Sequence, residues 1–222
     1  MSNGRLAAAI EALNKQDNGK VVVFKTDDYS EVKVITVGAL PDMITYSDDG
    51  NYILTANEGE PGNDYTNDPA GTVSIIEVNN NYAVTTIDFA AFVSQEATLK
   101  ASGLRVFGIG NNFVKDMEPE YVTISGDSKT AWVTLQENNA IAKIDIASKT
   151  VTNIFPLGFK DYNTNENAID VSDLDGAVGS FAKWPVKGVY MPDAISLFEY
   201  NGIPYLFTAN EGDAREYTAL TE

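Results

Sequence analysis

The chain contains no cysteine and no histidine. Without cysteine it can form neither disulfides nor thiolate metal sites. Without histidine, a Ser-His-Asp triad, histidine general-base catalysis and imidazole-ligated zinc are excluded within these 222 residues. Any chemistry falls to carboxylates, hydroxyls, amides, lysine, arginine or a hard metal ion. Long apolar runs are also missing: no stretch approaches the roughly 18 residues needed to cross a bilayer, and no signal-peptide pattern opens the chain. This argues against membrane insertion within these residues. Basic residues are scarce, 15 against 32 acidic ones, for a net charge of −17. A field of that sign repels phosphate backbones and anionic headgroups, so nucleic acid and membrane surfaces are poor partners. Divalent cations, or a basic partner, are better ones.

What is present is ordinary for a packed domain, with 44% hydrophobic and 21% charged residues. A long internal repeat organises it. Pro41-Asp42-Met43-Ile44 followed by Leu54-Thr55-Ala56-Asn57-Glu58-Gly59 returns as Pro192-Asp193-Ala194-Ile195 followed by Phe207-Thr208-Ala209-Asn210-Glu211-Gly212. A looser copy lies between them, Pro119-Glu120-Tyr121-Val122 and then Val133-Thr134-Leu135-Gln136-Glu137, so that the copies stand roughly 75 residues apart.

Each copy reads as two strands joined by a tight turn at Asp49-Gly50, Gly126-Asp127 or Asn201-Gly202. Two further strands follow in two of the units, at 72–78 and 82–89 and again at 140–146 and 150–155. Four antiparallel strands per repeated unit is the pattern of propeller blades, with long insertions because a blade usually takes about forty residues. Near the start, residues 5–12 sit where a strand should precede those at 20–24 and 31–37. Leu6, Ile10 and Leu13 keep helical spacing there, so a helix competes with that reading. The expected fold is all-β: an incomplete β-propeller of about three blades, forming one partial domain. It divides into a partial blade at 1–40, blades with insertions at 41–117 and 118–190, and a partial blade at 191–222. The remaining blades, or another copy, would cover the open edges.

If the strands of a blade are lettered a to d, the a–b and c–d turns share one face and are short. The connections on the other face are long, at 59–71, 91–117 and 157–191. That face is the candidate functional one. The repeated polar residues fall on it. Asp42, Glu118, Glu120 and Asp193 enter strand a, while Asn57, Glu58, Gln136, Glu137, Asn210 and Glu211 leave strand b. Around a ring these form a collar of hard oxygen donors suited to Ca²⁺ or another divalent cation. The candidate metal ligands are Asp42, Asn57, Glu58, Glu120, Glu137, Asp193, Asn210 and Glu211. The same residue types at strand ends would serve equally to hydrogen-bond backbone and hold neighbouring blades together. The acidic stretches 59–68 and 161–175 read as solvated loops or as cation loops, and neither matches an EF-hand. Gly108-Ile109-Gly110 is no phosphate cradle, and Tyr52, Trp132 and Tyr205 read as core.

Leu40-Pro41-Asp42-Met43, Thr55-Ala56-Asn57-Glu58-Gly59-Glu60-Pro61, Glu118-Pro119-Glu120-Tyr121 and Thr208-Ala209-Asn210-Glu211-Gly212-Asp213-Ala214-Arg215-Glu216-Tyr217 resemble the choice-of-anchor I domain, as does Gln16-Asp17-Asn18-Gly19-Lys20-Val21-Val22. That family is a large secreted propeller, similar also to mesenchyme-specific cell-surface glycoproteins. The resemblance implies an extracellular or cell-surface protein whose export signal and anchor lie outside this sequence. The residues themselves, with acids gathered on the long-loop face, read first as a module that binds cations, or a protein or glycan partner, at that face. Family members are often labelled alkaline phosphatase-like, so a metal-dependent phosphoester hydrolase is the alternative. No catalytic residue transfers with that label.

Overall fold

The computed structural model describes residues 1–110 and 112–220. The repeat becomes a row of antiparallel sheets. β1 (Arg5–Ile10), β2 (Asn18–Lys25) and β3 (Glu31–Ala39) form a three-stranded sheet. Residues 5–10 are therefore strand, although Leu6, Ile10 and Leu13 are spaced like a helix face. The pairing of Ala7, Ala8 and Ala9 with Val23, Val22 and Val21 decides it, because small side chains leave room for the neighbouring sheet.

β4 (Pro41–Tyr46), β5 (Tyr52–Asn57), β6 (Thr72–Glu77) and β7 (Ala83–Ile87) make the first complete blade. A 3₁₀ turn (Ala90–Gln95) and α1 (Glu96–Ala101) lie in the connection that follows. β8 (Pro119–Ile124), β9 (Thr130–Leu135), β10 (Ala140–Asp145) and β11 (Thr150–Pro156) make the second blade. β12 (Lys160–Asp161) and β13 (Lys187–Gly188) pair within the next long connection, and β14 (Pro192–Tyr200) and β15 (Ile203–Asn210) form a final hairpin. The fold is an all-β propeller of four-stranded antiparallel blades that does not close into a ring.

Alternation along each strand places apolar residues on both faces of the two complete blades, because each is sandwiched between neighbouring sheets. Ile53 and Ile76 face the first sheet and pack with Val21, Val23, Ile35 and Val37. Their neighbours Leu54 and Ile75 face the opposite way, onto Val122, Ala131, Val133 and Ile144. Trp132 and Ile141 continue the stack onto Ile195, Leu197 and Leu206 of the final hairpin. Beyond that hairpin no described sheet follows, and Phe198, Tyr205 and Phe207 are exposed. Tyr205 is therefore no core residue, although its strand position resembles that of buried Trp132.

The turns repeat in detail. Ser47 and Ser125 each donate from Oγ to an aspartate two residues on, Asp49 at 2.6 Å and Asp127 at 2.7 Å. Gly50 (φ 70°) and Ser128 (φ 60°) occupy the same left-handed position. In the second blade the turn thus runs on from Gly126-Asp127 through Ser128. In the final hairpin Asn201 and Gly202 are both left-handed, as a tight two-residue turn requires.

Candidate functional site

Each inner strand begins with the same irregularity. In β4, Pro41 pairs with Asn57 and Met43 with Ala56, which leaves Asp42 as an extra residue. In β14, Pro192 pairs with Asn210 and Ala194 with Ala209, leaving Asp193 extra. In β8 the register shifts between Pro119 and Val122, and Glu120 falls inside that shift. A β-bulge bends its strand and re-aims a side chain. Here it turns one acid per blade out of the ladder, at the end where the inner strands β4, β8 and β14 converge. The residue before the proline is left-handed in two blades, Leu40 and Met191, both at φ 48°. Their carbonyls accept hydrogen bonds from the Glu58 and Glu211 amides at 2.9 and 3.0 Å. The acid leaving strand b is thereby tied to the bulge that presents the acid of strand a.

The result is a cup of about 400 Å³. Of the eight candidate metal ligands, Asp42, Glu58, Glu120, Glu137, Asp193 and Glu211 line it. The other two are elsewhere. Asn57 is fully buried inside its blade: its Oδ1 accepts from Thr55 Oγ1 at 2.8 Å, and its Nδ2 donates to Thr72 Oγ1 and Ser74 Oγ at 3.2 and 2.9 Å. Asn210 is exposed and accepts from Thr208 Oγ1 at 3.0 Å, beside Lys160 and Tyr162. Of the acids in the two candidate cation loops, Glu60 lines the cup and pairs with Lys15 Nζ at 3.4 Å, Asp68 lies 4.0 Å from Lys115 Nζ, and two others are used locally. Asp64 Oδ1 accepts from Thr66, and Asp170 Oδ2 accepts from Gly179 and Ser180.

Within the cup, one carboxylate oxygen each from Asp42, Glu58 and Glu120 lie within 4.8 Å of one another. Asp42 is at the exposed rim, Glu58 is half-buried, and Glu120 is only 8% exposed. Among the described residues, no hydrogen bond or ion pair reaches the Glu120 carboxylate. Two like charges at this separation repel by about 3 kcal/mol at an effective dielectric near 20. Three ionised groups are thus not held together without a proton or a cation. Accordingly, burial and then the charges of Glu120, Glu60, Glu118 and Glu137 push Glu58 up to about 11. Burial and then Glu137, Asp42, Asp193 and Glu60 push Glu120 up to about 9. Asp42 is raised by burial and by Asp193 and Glu60.

A second pair of acids lies deeper, and no local pattern couples it to residues 213–217. Asp116 and Glu118 clamp Arg215, at 2.8 Å (Oδ1 to Nη1) and 2.7 Å (Oε2 to Nη2). The segment that carries Arg215 passes over the cup, where Asp213, Glu216 and Tyr217 join its lining. Tyr217 packs edge-on against Tyr65 with ring centroids 5.5 Å apart, and Ala219 N donates to Asn63 O at 3.0 Å. The signals available for this were Arg215 as a lone cation in an acidic stretch, and two acids flanking Met117 ahead of a proline.

The family model described as the choice-of-anchor I domain matches residues 1–222. No curated protein matches the chain. Among solved structures, the chain is similar to Kuenenia stuttgartiensis hydrazine synthase, with 13% identity and a TM-score of 0.47, over 69% of this chain and 47% of that one. It is also similar to the β-propeller domain of the Trilobed protease from Pyrococcus furiosus, described as having an open velcro topology. There the identity is 11% and the TM-score 0.43, over 70% of this chain and 40% of that one. A protein from Lactobacillus plantarum gives 16% identity and a TM-score of 0.39, over 84% of this chain and 57% of that one. The chain thus spans about half the length, or less, of the first two. Among the described residues, no helix is long and apolar enough to cross a membrane.

Proposed function

The chain belongs to the choice-of-anchor I domain family, and on that footing we propose that it is a secreted or cell-surface propeller module whose acidic cup binds a divalent cation, with calcium as the best match. The observation that carries this reading is the Asp42–Glu58–Glu120 trio, with oxygens within 4.8 Å of one another and Glu120 buried, its carboxylate reached by no hydrogen bond or ion pair among the described residues. Calcium takes oxygen ligands at about 2.3–2.6 Å, so two oxygens on one ion stand at most about 5 Å apart. The trio meets that limit without rearrangement. Glu137 and Asp193 stand next to it as further donors, and 400 Å³ leaves room for coordinated water. The chemistry of the site favours a hard cation throughout, since carboxylates and amides are its donors.

Family association with surface and secreted proteins supports the location, where millimolar calcium is available. Bound calcium would link three blades, because Asp42 and Glu58 come from one sheet, Glu120 from the next and Asp193 from the last. On this reading the ion both stiffens the partial ring and sets the charge of the face a protein or glycan partner would meet.

The test is a thermal melt. Millimolar CaCl₂ should raise the melting temperature of the chain by several degrees more than NaCl at the same ionic strength. Screening treats the two salts alike, whereas an ion bound only by the folded state stabilises it in proportion to RT ln(1 + [L]/Kd), about 3 kcal/mol at a hundredfold excess over Kd. Equal shifts in the two salts would assign the collar to holding blades together, and calcium would not be its ligand.

A further inference from the structure

Building on the cation reading of the cup, we propose that Arg215 is a built-in counter-cation: it fills the inner half of the acidic cluster, between Asp116 and Glu118, and leaves only the Asp42–Glu58–Glu120 half open to an ion from solution. The acids of the cluster divide sharply by partner. Glu120 is buried, and among the described residues no hydrogen bond or ion pair reaches its carboxylate. Asp116 and Glu118 are as deeply buried, yet both are engaged by one guanidinium whose side chain is 2% exposed.

The slot is assembled by residues that precede Arg215 by nearly a hundred positions. Phe107 N donates to Asp116 Oδ2 at 3.0 Å and Gly108 N to Asp116 Oδ1 at 2.8 Å, which fixes that carboxylate. A side chain at position 108 would place its Cβ 2.3 Å from Asp116 Oδ1, so glycine is what permits the approach. Asn138, fully buried, holds both ends of the 116–118 stretch: its Nδ2 donates to Asp116 O at 2.6 Å and its Oδ1 accepts from Glu118 N at 3.1 Å. The Asp116 carboxylate and the backbone of the 116–118 stretch are thus held by contacts independent of whatever fills the space.

Arg215 fills it with directional bonds. Nε and Nη2 both reach Glu118 Oε2, at 3.1 and 2.7 Å; Nη1 reaches Asp116 Oδ1 at 2.8 Å, and Nη2 reaches the Asp116 carbonyl at 3.2 Å. The guanidinium also lies 4.8 Å from the centroid of the Phe107 ring, whose other neighbour is Arg105 at 4.4 Å. A guanidinium is always charged, and its planar fork matches paired carboxylates. Tethered to the chain, it cannot exchange with solvent as a metal ion does. Two facing buried carboxylates without it would be left needing another cation. The inner slot is therefore a latent metal site, closed by an arginine from the final segment.

The experiment counts calcium ions bound per chain by equilibrium dialysis in NaCl-containing buffer, with melting curves in calcium and in chelator alongside. The parent chain should hold a single ion tightly. Arg215→Ala should hold a second, and its melting temperature should depend on calcium more steeply than that of the parent. Folding of Arg215→Ala only when calcium is present would support the proposal equally. The triple variant Asp116→Asn, Glu118→Gln, Arg215→Ala, with no inner charge left to balance, should return to a single ion. If the parent binds one ion and Arg215→Ala also binds one, the counter-cation role is overturned while the cup remains a cation site. If Arg215→Ala folds in neither buffer, no ion replaces the guanidinium and the proposal is likewise overturned. A parent chain that binds no calcium would refute the cation reading itself.

Discussion

Glu120→Gln should melt higher than the parent chain in chelator at pH 8, and should lose most of the calcium increment. The two effects have opposite signs, which separates this residue from an ordinary structural one. In the calcium-free protein Glu120 is buried, no cation among the described residues pairs with it, and burial with Glu137, Asp42 and Asp193 pushes its carboxyl up to about 9. At pH 8 the folded state must hold a proton that the unfolded chain has released, or else bear a buried charge. Glutamine does neither and keeps the shape. The expected gain is on the order of 2–3 kcal/mol, or roughly 5–10 °C for a chain of this size. In calcium the same substitution removes a carboxylate from the ion, so the shift on adding CaCl₂ should shrink to near that seen with NaCl. Asn57→Ala is the contrasting case. It removes an amide that satisfies Thr55, Thr72 and Ser74 inside the blade, so it should lower the melting temperature by about the same amount in both buffers and leave the calcium increment intact. An unchanged or lower melting temperature for Glu120→Gln in chelator would show that its carboxylate is compensated within the protein.

The second large effect is in pH. Glu58, Glu120 and Asp42 have folded-state values raised above those of the unfolded chain. Such groups contribute stability that is fully present below the unfolded value, near 4–4.5, and is lost as pH rises towards the folded value. In chelator the melting temperature should therefore fall steadily from about pH 5 upward, through about pH 9 for Glu120 and on towards about pH 11 for Glu58. Below that window the opposite class takes over. Asp127, bonded by the Ser125 hydroxyl, and Asp145, bonded by the Ser148 amide, have lowered values, and their contribution is lost as pH falls. Stability without calcium should thus peak near pH 5. Calcium needs its ligands deprotonated, so the melting increment it produces should be larger at pH 8 than at pH 5.5 and should flatten the alkaline decline. An increment that is equal at the two pH values would show that calcium acts away from the trio.

The propeller was legible because its signals are local and repeated. Period-two alternation, the Ser-x-Asp turns and the Pro-acid step at each inner strand recur within short windows, and three copies in order define the blade. That the acids share one face follows from antiparallel order alone. The bulges were not legible, since a one-residue excess appears only when the partner strand is in place. Asn57 and Asn210 show where sequence similarity stops informing. The two stand at the same place in the same Thr-Ala-Asn-Glu-Gly motif. One is sealed in because β6 pairs over it and supplies Thr72 and Ser74. The other is exposed because β15 is the edge of its hairpin. Arg215 was missed for a different reason. Its partners lie nearly a hundred residues away on another blade, and no local pattern encodes a contact of that range.

Anomalous scattering from crystals grown with terbium or manganese as a calcium substitute would test the account most directly. A peak is expected within coordination distance, about 2.5 Å, of carboxylate oxygens from Asp42, Glu58 and Glu120, with Arg215 still seated between Asp116 and Glu118. Peaks confined to other surface carboxylates, with the trio left bare, would contradict it.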